Sequence, residues 1–451
     1  MIWVIGFAAI LLIAAIASYR NAGAAIGVLI TTYGIETFLQ SQSSYIVDHG
    51  SYTNIAVGVI VLIAAFFSLM RSSIKLSDFS NVQVLIIIIY AFGFVSFVWT
   101  LSPDQFHRWK SELPHILTYT VLAPVLTREK GALSSGFRWV LWIGIPIMIL
   151  TAFYCQWGIR GIILAKPIRI GERLSHESLP LAIASLASII GVIALVIDLK
   201  KMPFKFAFRI SVLGLALMIA FMTQSRGQVV AIIAVSAIIY PISNRAKNAK
   251  GLFLTVLGFV VFSGVFVLLI RNLTLQRWQG DHVESAITGR QELWLSLLSY
   301  WFEHPGMNWL VGLGACSSFD IVGFYPHNLP VEILAELGLI GIVVFSSIMI
   351  KSFYNGLVLL SKLSVDSRIR GDSVAIIGII GVNFALCLKE GSLYTWSPLF
   401  FFTICLAQQV RLARKAKNSL GLRRLFIVPN NYDQHPNQFH PGQQFGHPRS
   451  S

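Results

Sequence analysis

Charge is what this chain has least of. Of 451 residues, 12% are Asp, Glu, Lys or Arg and 55% are hydrophobic, against about 25% charged and about 45–50% apolar in soluble domains. That scarcity excludes an ordinary soluble enzyme. Cysteine is scarce as well: Cys155, Cys316, Cys387 and Cys405 stand apart, without a CxxC pair or His-containing metal spacing. The sequence therefore suggests neither a disulfide framework nor a zinc site. Also missing are a Walker A sequence, HExxH, GxSxG and DxD, the arrangements that hold nucleotide phosphates, zinc, an acyl-transfer serine or a divalent cation on a sugar nucleotide. The first long outer stretch, SQSSYIVDHGSYTN, offers one carboxylate, Asp48. This disfavours a metal-dependent lipid-linked glycosyltransferase with acidic ligands in an early outer loop.

What the chain does have is apolar runs, with a mean hydropathy of +0.71. They fall near 2–18, 22–39, 55–70, 82–100, 116–126, 137–154, 179–196, 206–222, 229–242, 251–270, 331–350, 374–388 and 393–407. Most approach the length that crosses a hydrocarbon layer of about 30 Å. The fold class predicted is all-α, a polytopic membrane bundle of about 12–13 transmembrane helices. The N-terminal run lacks a basic region before it, which reads as a retained span rather than a cleaved signal peptide.

The net charge of +15 would suggest nucleic acid in a soluble protein, but here it is sorted by membrane side. Basic loops stay cytoplasmic. The segment after the last span carries Arg411, Arg414, Lys415, Lys417, Arg423 and Arg424, which predicts a cytoplasmic C-terminus. One alternation then places the other short basic loops inside too, and no nucleic-acid partner is called for. The organisation predicted is a transmembrane bundle over 1–410 and a tail over 411–451, basic at first and then disordered. Two outer loops, 155–178 and 271–330, are too long to be connectors, and long loops on a rigid scaffold are where sites are displayed. Within the larger, ESAITGRQELWLSLLSYWFEHPG predicts an amphipathic helix near 284–303, either lying on the outer leaflet or packed on the bundle.

Cations on the outer side run against the usual bias. Arg226, in TQSRGQ, sits in a short turn between two spans, where a charge is costly unless paired or facing a wet cavity. Arg290, in ITGRQELW, lies in the amphipathic helix. Arg160, Arg169 and Arg173 lie in the smaller outer loop. Arginines facing one cavity would grip a phosphate or pyrophosphate, because the guanidinium fork matches phosphate oxygens and stays charged. The alternative is snorkelling to headgroups. His327 follows in GFYPHNLPVEILAELGLIG, where the long loop re-enters the membrane. An imidazole there can take a proton from a hydroxyl, or can be an interfacial helix-end residue. Asn328 beside it could orient the ring or a sugar. Lys389–Glu390, at an outer border, reads as an anchoring pair.

Three stretches carry a family resemblance: PHNLPVEILAELGLIG, SRGQ at an outer helix end, and GRQELW ahead of HPGMNWLVGLGAC. Over about Arg173 to Leu388 the sequence resembles the O-antigen ligase family (WaaL-like), within the group that includes O-antigen polymerases (Wzy-like). The resemblance implies a GT-C-like enzyme of the bacterial inner membrane, acting at the periplasmic face without metal, nucleotide or other cofactor. It would move a glycan from an undecaprenyl-pyrophosphate-linked donor to a sugar hydroxyl of lipid A-core in lipopolysaccharide assembly. It implies His327 as catalytic base, Arg226 and Arg290 as pyrophosphate-binding residues, and Arg173 as a further one. The rivals are an O-antigen polymerase and, from another class, a secondary transporter for an anionic solute. The donor repeat unit, acceptor sugar and oligomeric state are not legible in the sequence.

Overall fold

The computed structural model describes residues 2–71, 79–129, 131–158, 161–170, 173–177, 181–199, 203–243, 258, 264, 280–363 and 367–426. All but two residues of the predicted span at 251–270, and the tail beyond 426, lie outside the described residues. Every other predicted run falls on a helix.

The chain opens with α1 (Ile2–Arg20), α2 (Gly23–Gln42), the short α3 (Ser44–Asp48) and α4 (Ser51–Arg71). Next come α5 (Asn81–Val95), α6 (Phe106–Leu117), a π-helical turn at Thr118–Leu122, α7 (Ala123–Leu126) and α8 (Ala132–Tyr154). After a hairpin follow α9 (Leu181–Val196), α10 (Lys205–Met222) and α11 (Arg226–Ser243). The remainder is α12 (Gly280–Glu303), α13 (Met307–Val311), α14 (Ser318–Val322), α15 (Leu329–Val358), α16 (Ser367–Cys387) and α17 (Ser397–Phe426). Among the described residues, eight helices are long and apolar enough to cross a membrane, and α9 is a shorter apolar one. The protein is an all-α multi-pass membrane bundle.

Helix α2 lies at the centre, buried almost without break from Gly23 to Leu39. Small residues allow this. A Cβ added at Gly27 would stand 2.3 Å from Trp139 Cβ of α8, so the two backbones approach as closely as small-residue membrane interfaces permit. Peripheral helices instead point Leu12, Leu62, Val343 and Phe353 outward, which is the expected face toward lipid. Helix α17 runs past the last apolar run through the basic segment to Phe426.

The smaller outer loop contains the departure from an all-helical reading. It folds as an antiparallel hairpin of β1 (Ile163–Ile170) and β2 (Arg173–Glu177), pairing Ile170 with Arg173. Lys166 ties the hairpin to α3 through Asp48 at 2.9 Å. A search for apolar runs alone passes over such a segment, because ILAKPIRI is short and interrupted by Lys166, Pro167 and Arg169.

Candidate active site

The site is built at the N-terminal end of α15. Asn328 caps that helix: its Oδ1 accepts from Val331 N at 3.1 Å, while its Nδ2 donates to Leu388 O at 3.1 Å. The side chain that could have turned toward a sugar is thus engaged in joining the start of α15 to the end of α16. Pro330 in the first turn fits, since its missing N–H is not needed there. Immediately before the cap, His327 takes φ +57°, a left-handed conformation that non-glycine residues adopt at a cost of about 1–3 kcal/mol.

Two buried carboxylates follow on α15. Glu332 accepts from Leu393 N at 3.0 Å and from the Ser392 hydroxyl. Glu336 accepts from Cys316 N at 2.7 Å, Ser318 N at 3.2 Å and Ser318 Oγ at 2.6 Å. Helix α15 then breaks at Gly338, at φ +65° and ψ −162°. The freed carbonyls are satisfied from outside: Leu313 N donates to Ala335 O and Gly314 N to Glu336 O, both at 2.9 Å. Non-helical backbone at membrane depth needs such partners. The stretch GLGAC is the segment that supplies them, with Gly312, Gly314 and Cys316 all at positive φ. The motifs on either side of the membrane border are thus two halves of one brace.

That brace sets the cluster of charged groups. Glu390 receives Gln228 Nε2 on Oε1 at 2.7 Å and Lys389 Nζ on Oε2 at 3.3 Å. Lys389 lies over Gly227 so closely that an added Cβ there would sit 2.1 Å from Lys389 Cε. The turn 225–228, which carries Arg226, is therefore seated on Lys389–Glu390. Trp294, one turn beyond Arg290 on α12, donates to Pro326 O at 2.5 Å, which pins that helix beside His327. Arg290 is an electrostatic neighbour of Arg226, His327, Lys389 and Glu390. Among these described groups Arg226, Arg290 and Lys389 are basic and Glu390 is the one carboxylate.

Burial, with Arg290 and Lys389 nearby, holds the His327 imidazole down at about 4, so it is neutral near pH 7 and able to accept a proton. Its Nδ1 is buried without a hydrogen-bond partner, and the ring lies against Tyr325, 4.4 Å between centroids. Burial and the nearby carboxylates push the Tyr325 phenol up to about 12. Burial likewise lowers Lys389 and raises Glu390, with each partner opposing the change in the other.

The structure thus brings together Arg226, Arg290 and His327. Arg173 opens β2, with its side chain outside the described atoms; Arg160 lies outside the described residues. Three members were missed. Lys389 and Glu390 read as an anchor from sequence, yet they hold the turn of Arg226. Gln228 looked like part of a motif, but it is oriented by Ser225 on one side and Glu390 on the other. The signal available was the rarity of charge at a span border. Helix α12 forms where the amphipathic helix was expected. It buries Leu297 and Trp301 against Leu313 and Ala335, and leaves Leu295 and Phe302 exposed.

No curated protein matches the chain. One solved structure, described as "Structural coordination of polymerization and crosslinking by a peptidoglycan synthase complex", aligns with a TM-score of 0.45 at 13% identity, over 75% of this chain and 98% of its own. Residues 211–346 match the family model described as O-antigen ligase, a stretch that includes Arg226, Arg290, His327 and Asn328. Over that stretch, about a third of its length, the chain is similar to the O-antigen ligase family.

Proposed function

We propose that the protein is an O-antigen ligase, a metal-independent inverting glycosyltransferase with a GT-C-like architecture. Its donor would be a glycan on undecaprenyl pyrophosphate and its acceptor a sugar hydroxyl of lipid A-core, at the periplasmic face of the inner membrane. The observation that carries this reading is the cluster itself: a neutral imidazole beside Arg290 and Lys389, which in turn neighbour Arg226, with buried carboxylates of α15 bracing the helix that follows.

The chemistry follows from these groups. The acceptor oxygen attacks the anomeric carbon, and the bond from that carbon to the pyrophosphate oxygen breaks. The hydroxyl proton passes to His327, and the leaving charge falls on undecaprenyl pyrophosphate. Attack opposite the leaving group inverts the centre. Fixed guanidinium groups stabilise the departing charge without reorganisation, a contribution worth about 10²–10³ in rate per donor at comparable sites. Arg173 would be an additional contact on the hairpin. An imidazole held at about 4 is a weak base. Burial is the larger cause of that depression, and a bound pyrophosphate would offset the smaller part that comes from Arg290 and Lys389. The base is thereby strengthened when a donor is in place. The exposed Leu295 and Phe302 of α12 would rest on the outer leaflet, with the polyprenyl chain between helices.

The test uses purified full-length protein with a lipid-linked glycan and lipid A-core. His327→Ala and Arg290→Ala should each lose core-attached polysaccharide while the protein stays folded in the membrane, and chelator should leave the wild type active. Wild-type chain lengthening without attachment to the core would replace this reading with a polymerase. Unchanged transfer by His327→Ala would remove its base.

A further inference from the structure

A second polar cavity opens at the other end of α15. Its volume is about 450 Å³, and it is walled by Lys351, Tyr354 and Asn355 of α15 and by Arg411 and Arg414 of α17, with the start of α5 closing the third side. Lys351 lies 23 residues beyond the cap Asn328, past the break at Gly338, and at 1.5 Å per residue that stretch reaches up to roughly 35 Å. That is about one membrane thickness, so the cavity lies at the membrane face opposite His327. None of its described lining residues is a carboxylate, and three, Lys351, Arg411 and Arg414, are basic.

The start of α5 adds to this. Ser80 caps the helix by accepting Gln83 N at 3.1 Å, and Asn81 and Val82, the first two helical residues, line the cavity. Backbone N–H groups in a first turn lack intrahelical acceptors and favour an anion. Behind the wall, the Arg128 guanidinium stands 5.3 Å from the Phe79 ring centroid. The other part of the lining is apolar, with Phe79, Val82, Ala407 and Val410. A cavity that is cationic on one side, apolar on the other and set where the start of α5 meets α15 and α17 has the character of an amphiphile site.

We infer that this cavity holds the phosphate of an anionic phospholipid headgroup, with its glycerol and first methylenes against the apolar wall. The cations are at headgroup depth, where each Lys or Arg attracts anionic lipid. The apolar wall distinguishes this ligand from free phosphate, which would gain nothing from Phe79 and Val410. The bound lipid would join α5, α15 and α17 at the face away from the glycan chemistry. The same three helices carry the brace at the other face, because Trp99 and Thr100 beyond α5 bond to Gly312 and Ala315. Glu332 likewise bonds to Ser392 and Leu393 ahead of α17.

The test is thermal unfolding and native mass spectrometry of the full chain in a neutral detergent, with phosphatidylglycerol, phosphatidylcholine or inorganic phosphate added. Phosphatidylglycerol should be retained and should raise the unfolding midpoint, and phosphatidylcholine and inorganic phosphate should not. Lys351→Gln and Arg414→Gln should each weaken retention about fivefold per charge removed, and Lys351→Arg should keep it. Equal retention of both phospholipids, or wild-type retention of phosphatidylglycerol by the Lys351→Gln/Arg414→Gln double variant, would overturn the assignment. A full midpoint shift from inorganic phosphate alone would overturn the lipid as ligand. Should the double variant fail to fold, retention by Lys351→Gln against Lys351→Arg decides the same question.

Discussion

The two halves of α15 differ in what holds them. From Leu329 to Gly338 the helix carries a polar cap, two buried carboxylates that accept from neighbouring loops, and a break whose carbonyls are filled by Leu313 and Gly314. From about Val343 onward it is a largely apolar helix that turns Val343, Phe353 and Leu357 outward and carries Lys351 and Asn355 toward its far end. The first half fixes positions, whereas the second fills the membrane. Groups that must meet a diphosphate and an alcohol within a few tenths of an ångström need the former, and it is at this end that His327 and its cationic neighbours sit.

The largest effect should come from Glu336→Ala. Two buried N–H groups and one hydroxyl would lose their acceptor, at about 1–3 kcal/mol each. Thermal unfolding in detergent should show a steep fall in midpoint, with transfer activity lost as the 312–318 loop moves off α15. A near-neutral result would break the comparison, because the outer half would then owe its form to packing alone.

An intermediate effect should follow pH. The folded His327 sits at about 4, below its ordinary 6.5. The unfolded chain therefore binds the extra proton first as pH falls, and stability present above about 6.5 is lost progressively toward 4. His327→Ala should flatten that part of the stability profile relative to wild type. If both proteins lose stability in parallel between pH 6.5 and 4, another group carries the dependence. The smallest effect should come from Val343→Ala, which removes two methyl groups facing lipid and should change stability by no more than about 0.5 kcal/mol, as read by the same unfolding assay.

Much of this was legible in the residues. Hydropathy alone finds the spans, because a run of about 20 apolar residues has few options other than crossing a bilayer. Arg226, Arg290 and His327 stood out as polar groups at borders where polarity is costly. Lys389 was set aside because a neighbouring Glu390 supplied a sufficient reason for it. Nothing local to LKEGS says that Gly227, 162 residues earlier, lies beneath its side chain. The hairpin of β1 and β2 escaped because a few apolar residues interrupted by Lys166, Pro167 and Arg169 are a weaker signal than an uninterrupted apolar run.

The sequence by itself determined that this chain enters a membrane many times, and which of its few charges stand at the borders, because burying apolar side chains and avoiding unpaired charge are properties of each segment taken alone. The tertiary structure decided which of those charges meet. The turn of Arg226, the Lys389–Glu390 pair, α12 and the strained His327 are separated by tens to hundreds of residues. They come together through hydrogen bonds made by Asn328, Glu332, Glu336, Gln228 and Trp294, whose partners have no fixed distance in the chain.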